Sequence, residues 1–86
     1  MATAAAVRKQ PKHYARPLAN GVEIYGSSTW VEGTGWVTSL SAVKGSRVVG
    51  IYDTGTWTIK VEGRVLRPQE GITEYDGWLD ALREIP

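Results

Sequence analysis

From Asn20 onward the chain is made of short runs in which apolar and polar side chains alternate, broken every few residues by glycine. A period of two sends successive side chains to opposite faces of a strand, so the pattern predicts a series of short strands joined by tight links. In the run from Val22 to Gly26, Val22 and Ile24 share one face and Glu23 and Tyr25 the other. A second run, Ser28 to Glu32, follows Gly26 with almost no loop. The stretch Glu32 to Gly35 then gives a flexible connection into Trp36–Leu40, so Trp30 and Trp36 are expected to face each other across a hairpin. Ser41 to Gly45 reads as a turn or a short helical turn. Ser46 to Tyr52 is β-branched and predicts a strand, with Gly50 marking a bulge or a close approach of another element. The clearest alternation runs from Thr56 to Glu62 and places Trp57, Ile59 and Val61 on one buried face. Glu62-Gly63 predicts a tight turn into Arg64–Arg67, which Pro68 ends because it cannot donate to a sheet ladder.

Beyond Gly71 the period changes. Tyr75, Trp78, Leu79 and Leu82 fall at i, i+3, i+4 and i+7 and form one apolar stripe, predicting a helix over 73–84. Thr73 is its expected N-cap, with Asp76 where a capping box usually has Glu or Gln. Glu74 and Asp76 favour the positive end of the helix dipole. Gly77 weakens a helix by about 1 kcal/mol relative to Ala, and is expected to let the helix lie close on the sheet.

Residues 1–20 follow neither period, and Pro11 and Pro17 interrupt any helix there. They are expected to be a disordered arm ahead of a folded body over 21–86, with Asn20-Gly21 as the turn that starts the body. The resulting fold class is β-rich α+β: a small antiparallel meander of about five to six short strands, one C-terminal helix packed on it, and that basic arm.

Charge adds an asymmetry. The net charge is +1, but Arg8, Lys9, Lys12 and Arg16 precede Glu23, and all 9 carboxylates stand from Glu23 onward. A basic arm on a mildly acidic body often marks a partner-binding segment. The chain has no cysteine and one histidine, His13. Disulfides, thiolate zinc and a three-histidine zinc site within one chain are excluded, and a Ser-His-Asp triad would have to use His13. The absence of cysteine fits a reducing compartment, and a cytoplasmic location is expected. No run approaches the ~20 apolar residues of a membrane helix. The start, MATAAAV, lacks the charged segment of a secretory signal, and is short for the transit peptide that its Ala-rich, acid-free character suggests.

Several motifs invite chemistry. Asp53-Thr54-Gly55 after an apolar pair resembles the catalytic stretch of retroviral aspartic proteases, whose dimers bring two such carboxylates together. Thr56 replaces the small residue that follows the glycine in that family, and Asp53 lies past the middle of the chain, leaving no room for a flap and a second apolar segment. The turn reading needs nothing further: Asp53 and Thr54 suit a type I turn, with Gly55 in the left-handed position of a three-residue loop. Ser41–Lys44 matches Ser-x-x-Lys, but the two other β-lactamase motifs are missing. The stretch Glu32–Trp36 lacks the Gly-Lys-Ser/Thr of a phosphate loop. The carboxylates Glu70, Glu74, Asp76, Asp80 and Glu84 lack the spacing of a calcium loop. No cofactor or metal is expected. Ser46 to Leu82 also resembles the small KTSC domain, through Tyr52-Asp53, Ile59 and Val61, Gly63 with Arg64–Arg67, and a short helix. The lysine-threonine-serine-cysteine motif of that family is absent, so the resemblance implies a meander with a helix and no functional residue.

The chain has four Trp, four Tyr and no Phe. These side chains combine apolar area with a polar edge, which suits interfaces and base stacking alike. Trp57 and Trp78 are expected in the core. Trp30, Trp36, Tyr25 and Tyr52 would form a stacking platform if two of them shared an exposed face with Arg47, Lys60 or Arg64. The sequence thus points to a non-enzymatic binding or assembly module acting on a protein partner or on its own copies. Its expected contact residues are Arg8, Lys9, Lys12, Arg16, Tyr25, Trp30 and Trp36. The alternative is a nucleic-acid-binding protein using the arm and the exposed aromatics.

Overall fold

The computed structural model describes residues 10–86. Six antiparallel strands form one sheet in sequential order, β1 (Lys12–Pro17), β2 (Val22–Val31), β3 (Gly35–Lys44), β4 (Arg47–Asp53), β5 (Thr58–Val61) and β6 (Arg64–Val65), followed by a helix, α1 (Glu74–Arg83). Every strand pairs with its neighbour in sequence, so each contact closes through a short hairpin. The meander and the single helix are those expected from the periodicity.

Three boundaries differ from expectation. Lys12–Pro17, expected inside a mobile arm, is edge strand β1, paired residue by residue with Glu23–Ser28. All its side chains are exposed, so no apolar pattern marked it. What holds it is the backbone ladder along β2, and Pro17 is tolerated because it ends an edge strand. Asn20-Gly21 does form a turn, but that turn joins β1 to β2 and does not open the fold: Leu18 N–H donates to Val22 at 2.7 Å and Gly21 N–H to Leu18 at 3.1 Å.

β2 and β3 are each ten residues long, where the sequence suggested two short strands for the first and a strand ending in a turn after Leu40 for the second. Gly26 does not break β2. A Cβ there would lie 2.0 Å from the Ser39 carbonyl oxygen, so the glycine is what lets β3 run past at ladder distance. Ser41–Lys44 continues β3 as strand, because Val22–Tyr25 offers it a full row of partners.

Trp57, expected in the core, is 70% exposed with φ 52. The β4–β5 link has four residues, 54–57, between the paired Asp53 and Thr58. Its left-handed position therefore falls on Trp57 and not on Gly55, and the apolar phase of β5 begins only at Ile59. The next link is tight, as expected: Glu62 and Gly63, at φ 51 and 79, join Val61 to Arg64.

One face of the sheet carries the core. Val22, Ile24, Leu40, Ala42, Val49, Ile59 and Val61 meet Trp78, Leu79, Leu82 and Ile85 there. The helix starts as predicted, with Thr73 Oγ1 accepting from Asp76 N–H at 3.1 Å, and burying Trp78, Leu79 and Leu82. Trp78 Nε1–H donates to the Lys60 carbonyl at 3.0 Å, which satisfies the one polar group of a fully buried ring. Asn20 clamps the other end: its Nδ2 donates to the carbonyls of Leu82 at 2.8 Å and Ile85 at 2.9 Å. The close approach expected at Gly50 is present. A Cβ there would stand 2.9 Å from Leu82 Cδ2 and 3.2 Å from Trp78 Nε1, beside a bulge at Val49. Gly77 has no such role, since a Cβ on it would meet only Ile72, at 3.8 Å.

Candidate functional site

The helix covers only part of its face of the sheet. β2 and β3 run on beyond it, and on that face the alternation that places Val22, Ile24, Leu40 and Ala42 under the helix next presents Ser28 and Thr38, then Trp30 and Trp36. Ser28 is nearly buried. Its hydroxyl hydrogen-bonds Thr38 Oγ1 at 2.6 Å and donates to the Tyr14 hydroxyl at 3.4 Å. Thr38 is tied to the β4–β5 link through its N–H, which donates to Thr54 Oγ1 at 2.8 Å. This polar belt separates the aliphatic core from the aromatic end.

At that end the cross-strand pair Trp30↔Trp36 forms as the hairpin reading expected. The rings meet edge to face, with centroids 5.7 Å apart and planes at 73°. They are 38% and 37% exposed. Lys12 stands opposite Ser28 on β1, and its Nζ lies 4.8 Å over the Trp36 ring. A cation at that distance is held by the ring quadrupole.

Of the residues expected to make contacts, the structure thus assembles Lys12, Trp30 and Trp36, and adds Tyr14. Arg16 points to the same side of β1 but pairs with Ile24, four residues further along the strand and at the core end. Tyr25 lies on the opposite face, where its hydroxyl donates to Glu23. Arg8 and Lys9 lie outside the described residues. Arg47, Lys60 and Arg64 do not join the tryptophans: Lys60 is on the opposite face, and Arg64 borders a groove at the other edge. Tyr52 is half-buried against Tyr75 and Trp78, with both ring centroids at 5.5 Å. Burial, then the nearby Glu74 carboxylate and Tyr75, push its hydroxyl above the usual tyrosine range.

The groove at the far edge encloses about 550 Å³ between α1 and the β5–β6 hairpin. Its lining includes the buried Ile59 and Trp78 and the exposed Trp57, Arg64, Glu74 and Asp80. Nothing in the sequence singled it out. Trp57 looked like core, and the chain between Leu66 and Thr73 has no period. Asp53 serves its turn, its Oδ1 accepting from the N–H groups of Gly55 at 2.8 Å and Thr56 at 3.1 Å. No helix among the described residues is long and apolar enough to cross a membrane.

Comparison of the chain with family models, curated proteins and solved structures gave no match. The likenesses to retroviral proteases and to the KTSC domain gain no support from it.

Proposed function

We propose that this protein is a non-enzymatic binding module that docks a protein partner through the end of its sheet that extends beyond the helix. The observation that carries the reading is the half-exposed Trp30–Trp36 pair, rigidified edge to face and flanked by Lys12. Large aromatic surface held in one geometry, with a polar rim of Tyr14 and Lys12, has the composition of an interface hot spot. A base would have to stack on an open ring face. Lys12 already occupies one face of Trp36, and the edge-to-face packing sets the two rings at an angle that parallel bases cannot follow. The folded part, with nine carboxylates against eight basic side chains, adds no net attraction for phosphate.

The nucleic-acid reading rests on a separate observation: Lys12, Tyr14 and Arg16 share the tryptophans' side of the sheet. Titration with single-stranded DNA and RNA at two salt concentrations discriminates the readings. A photo-crosslinking residue in place of Trp36, read out in the source cells, identifies what docks. Protein adducts that disappear in Trp30→Ala, with no salt-sensitive oligonucleotide binding, are expected. Oligonucleotide binding that weakens steeply with salt, by a log–log slope approaching −3 to −4 for about four phosphate contacts, overturns the proposal in favour of nucleic acid. The lack of cysteine suits a reducing compartment such as the cytoplasm.

A further inference from the structure

β1 is the outer strand of the sheet among the described residues: one of its edges pairs with β2, and the other has no described partner. The alternation of an antiparallel ladder decides which backbone groups stand on that open edge. Leu18 N–H donates to the Val22 carbonyl, so this pair is turned towards β2. Counting back along the unbroken register, Arg16↔Ile24, Tyr14↔Gly26 and Lys12↔Ser28 are turned the same way, and Pro17, Ala15 and His13 are turned outward. The open edge therefore presents the N–H and C=O groups of His13 and Ala15. Pro17 brings no donor to it, which ends the usable ladder at Arg16. Directly opposed residues share a face, so Lys12, Tyr14 and Arg16 stand on the helix side of the sheet with Ser28 and Ile24. The other outer strand, β6, has two residues and offers no comparable length.

An open edge is a template for a further strand, and its charge selects which strand is accepted. β1 carries Lys12 and Arg16, and no carboxylate precedes Glu23. A second copy is rejected. The two-fold pairing that matches the outward groups, His13 against Ala15, sets Lys12 against Arg16 twice, and like charges directly opposed across a ladder repel. We infer that this edge receives an extended acidic segment of the protein partner, added antiparallel to β1, with one carboxylate opposite Arg16 and another opposite Lys12. The inference rests on the docking reading above and supplies the chemistry of the partner. Along the core of that segment the first residue lies opposite Arg16, the third opposite Tyr14 and the fifth opposite Lys12, all with side chains on the helix side. The second and fourth exchange backbone hydrogen bonds with Ala15 and His13. Tyr14, 38% exposed, suits an apolar or aromatic third residue. Lys12 Nζ lies 4.8 Å over the Trp36 ring, so the fifth residue brings its carboxylate to the border of the tryptophan pair. Strand addition and aromatic docking thereby share one surface.

The probe is a synthetic peptide with capped ends, Thr-Thr-Glu-Thr-Val-Thr-Glu-Thr-Thr, titrated into the full chain and followed by amide chemical shifts. Saturable shifts are expected, largest at the His13 and Ala15 amides. N-methylation of either Thr between the two Glu residues removes a donor aimed at β1 and should weaken binding at least about tenfold. N-methylation of the Val, whose N–H points away from β1, should weaken it less than about threefold. Arg16→Glu should weaken binding about tenfold, and a peptide with Lys in place of its first Glu should restore it. Ala15→Pro removes an outward N–H and leaves the ladder to β2 in place, so it should abolish binding. The methylated peptides need no change in the protein and decide the matter even if Ala15→Pro disturbs β1. Absence of shifts up to about 1 mM peptide overturns the inference. So does a loss that is the same whichever amide is methylated, or equal binding by a peptide with Lys at both Glu positions. Crosslinking from position 36 is read separately: protein adducts there, beside a peptide that fails these tests, overturn strand addition and leave the docking reading standing.

Discussion

β2 and β3 pass through two environments on the same face of the same sheet. At one end Val22, Ile24, Leu40 and Ala42 are buried beneath Trp78, Leu82 and Ile85. At the other Trp30 and Trp36 keep more than a third of their surface in water. The backbone ladder is continuous from Val22↔Lys44 to Val31↔Gly35, so pairing does not distinguish the ends. The difference lies in what stands above each end. A helix of ten residues is about 15 Å long and cannot roof strands that run ten residues at ~3.3 Å each. The chain responds with aliphatics under the roof, a hydroxyl belt at its edge, and rings that pack on each other outside it. One end is therefore organised for stability, the other is the end proposed above for contact, and variants should separate these roles.

The largest effect is expected from Trp78→Ala. It removes a fully buried indole and leaves the Lys60 carbonyl without its donor, so urea unfolding should show a loss of about 3–5 kcal/mol. For a chain of this size, whose whole stability is roughly 0.05–0.15 kcal/mol per residue, that is a large share. A loss below about 1 kcal/mol would mean that the helix is not what holds the covered end. Asn20→Ala should cost about 1–2 kcal/mol, because two carbonyls at the end of α1 lose their donor.

The open end should answer differently. Trp30→Ala should lower stability by no more than about 1.5 kcal/mol, the scale of one aromatic pair, while abolishing the partner crosslinks formed from position 36. A loss as large as that of Trp78→Ala would erase the contrast between the ends. Gly77→Ala should raise the midpoint of urea unfolding by the equivalent of about 0.5–1 kcal/mol, since the added methyl gains helix propensity and meets Ile72 at ordinary contact distance.

The smallest effect concerns Tyr52. Its raised hydroxyl means that the folded chain binds the proton more tightly than the unfolded chain. The stabilisation is therefore complete below the ordinary tyrosine value of about 10 and fades as pH rises through the higher folded value. Tyr52→Phe should flatten that alkaline decline in thermal melts.

Asp53 illustrates how a motif yields to its local geometry. Both N–H groups that reach its Oδ1 come from the next three residues, so the carboxylate of the tripeptide serves the hairpin link. Asp53→Asn should retain that turn. The left-handed residue in the same link was misplaced, because a loop of three or four residues is equally compatible with Asp-Thr-Gly-Thr.

What the amino-acid order determined by itself was local. The two-residue period of Ile59 and Val61, the helical spacing of Trp78, Leu79 and Leu82, the Thr73 cap and the Glu62-Gly63 turn each follow from contacts within a few residues, so each was legible before any fold was known. The pairing of Trp30 with Trp36 was legible too, because a short loop joins them. Tertiary structure decided what depends on distant neighbours. β1 exists because β2 offered an edge, although its own side chains carry no apolar signal. Gly26 and Gly50 look alike in sequence, yet one admits the Ser39 backbone and the other the side chains of Leu82 and Trp78. Trp57 and Trp78 are equally apolar, and only the length of one loop and the reach of one helix sent the first to the surface and the second to the core. Exposure is a property of what lies above a residue, and no local period encodes that.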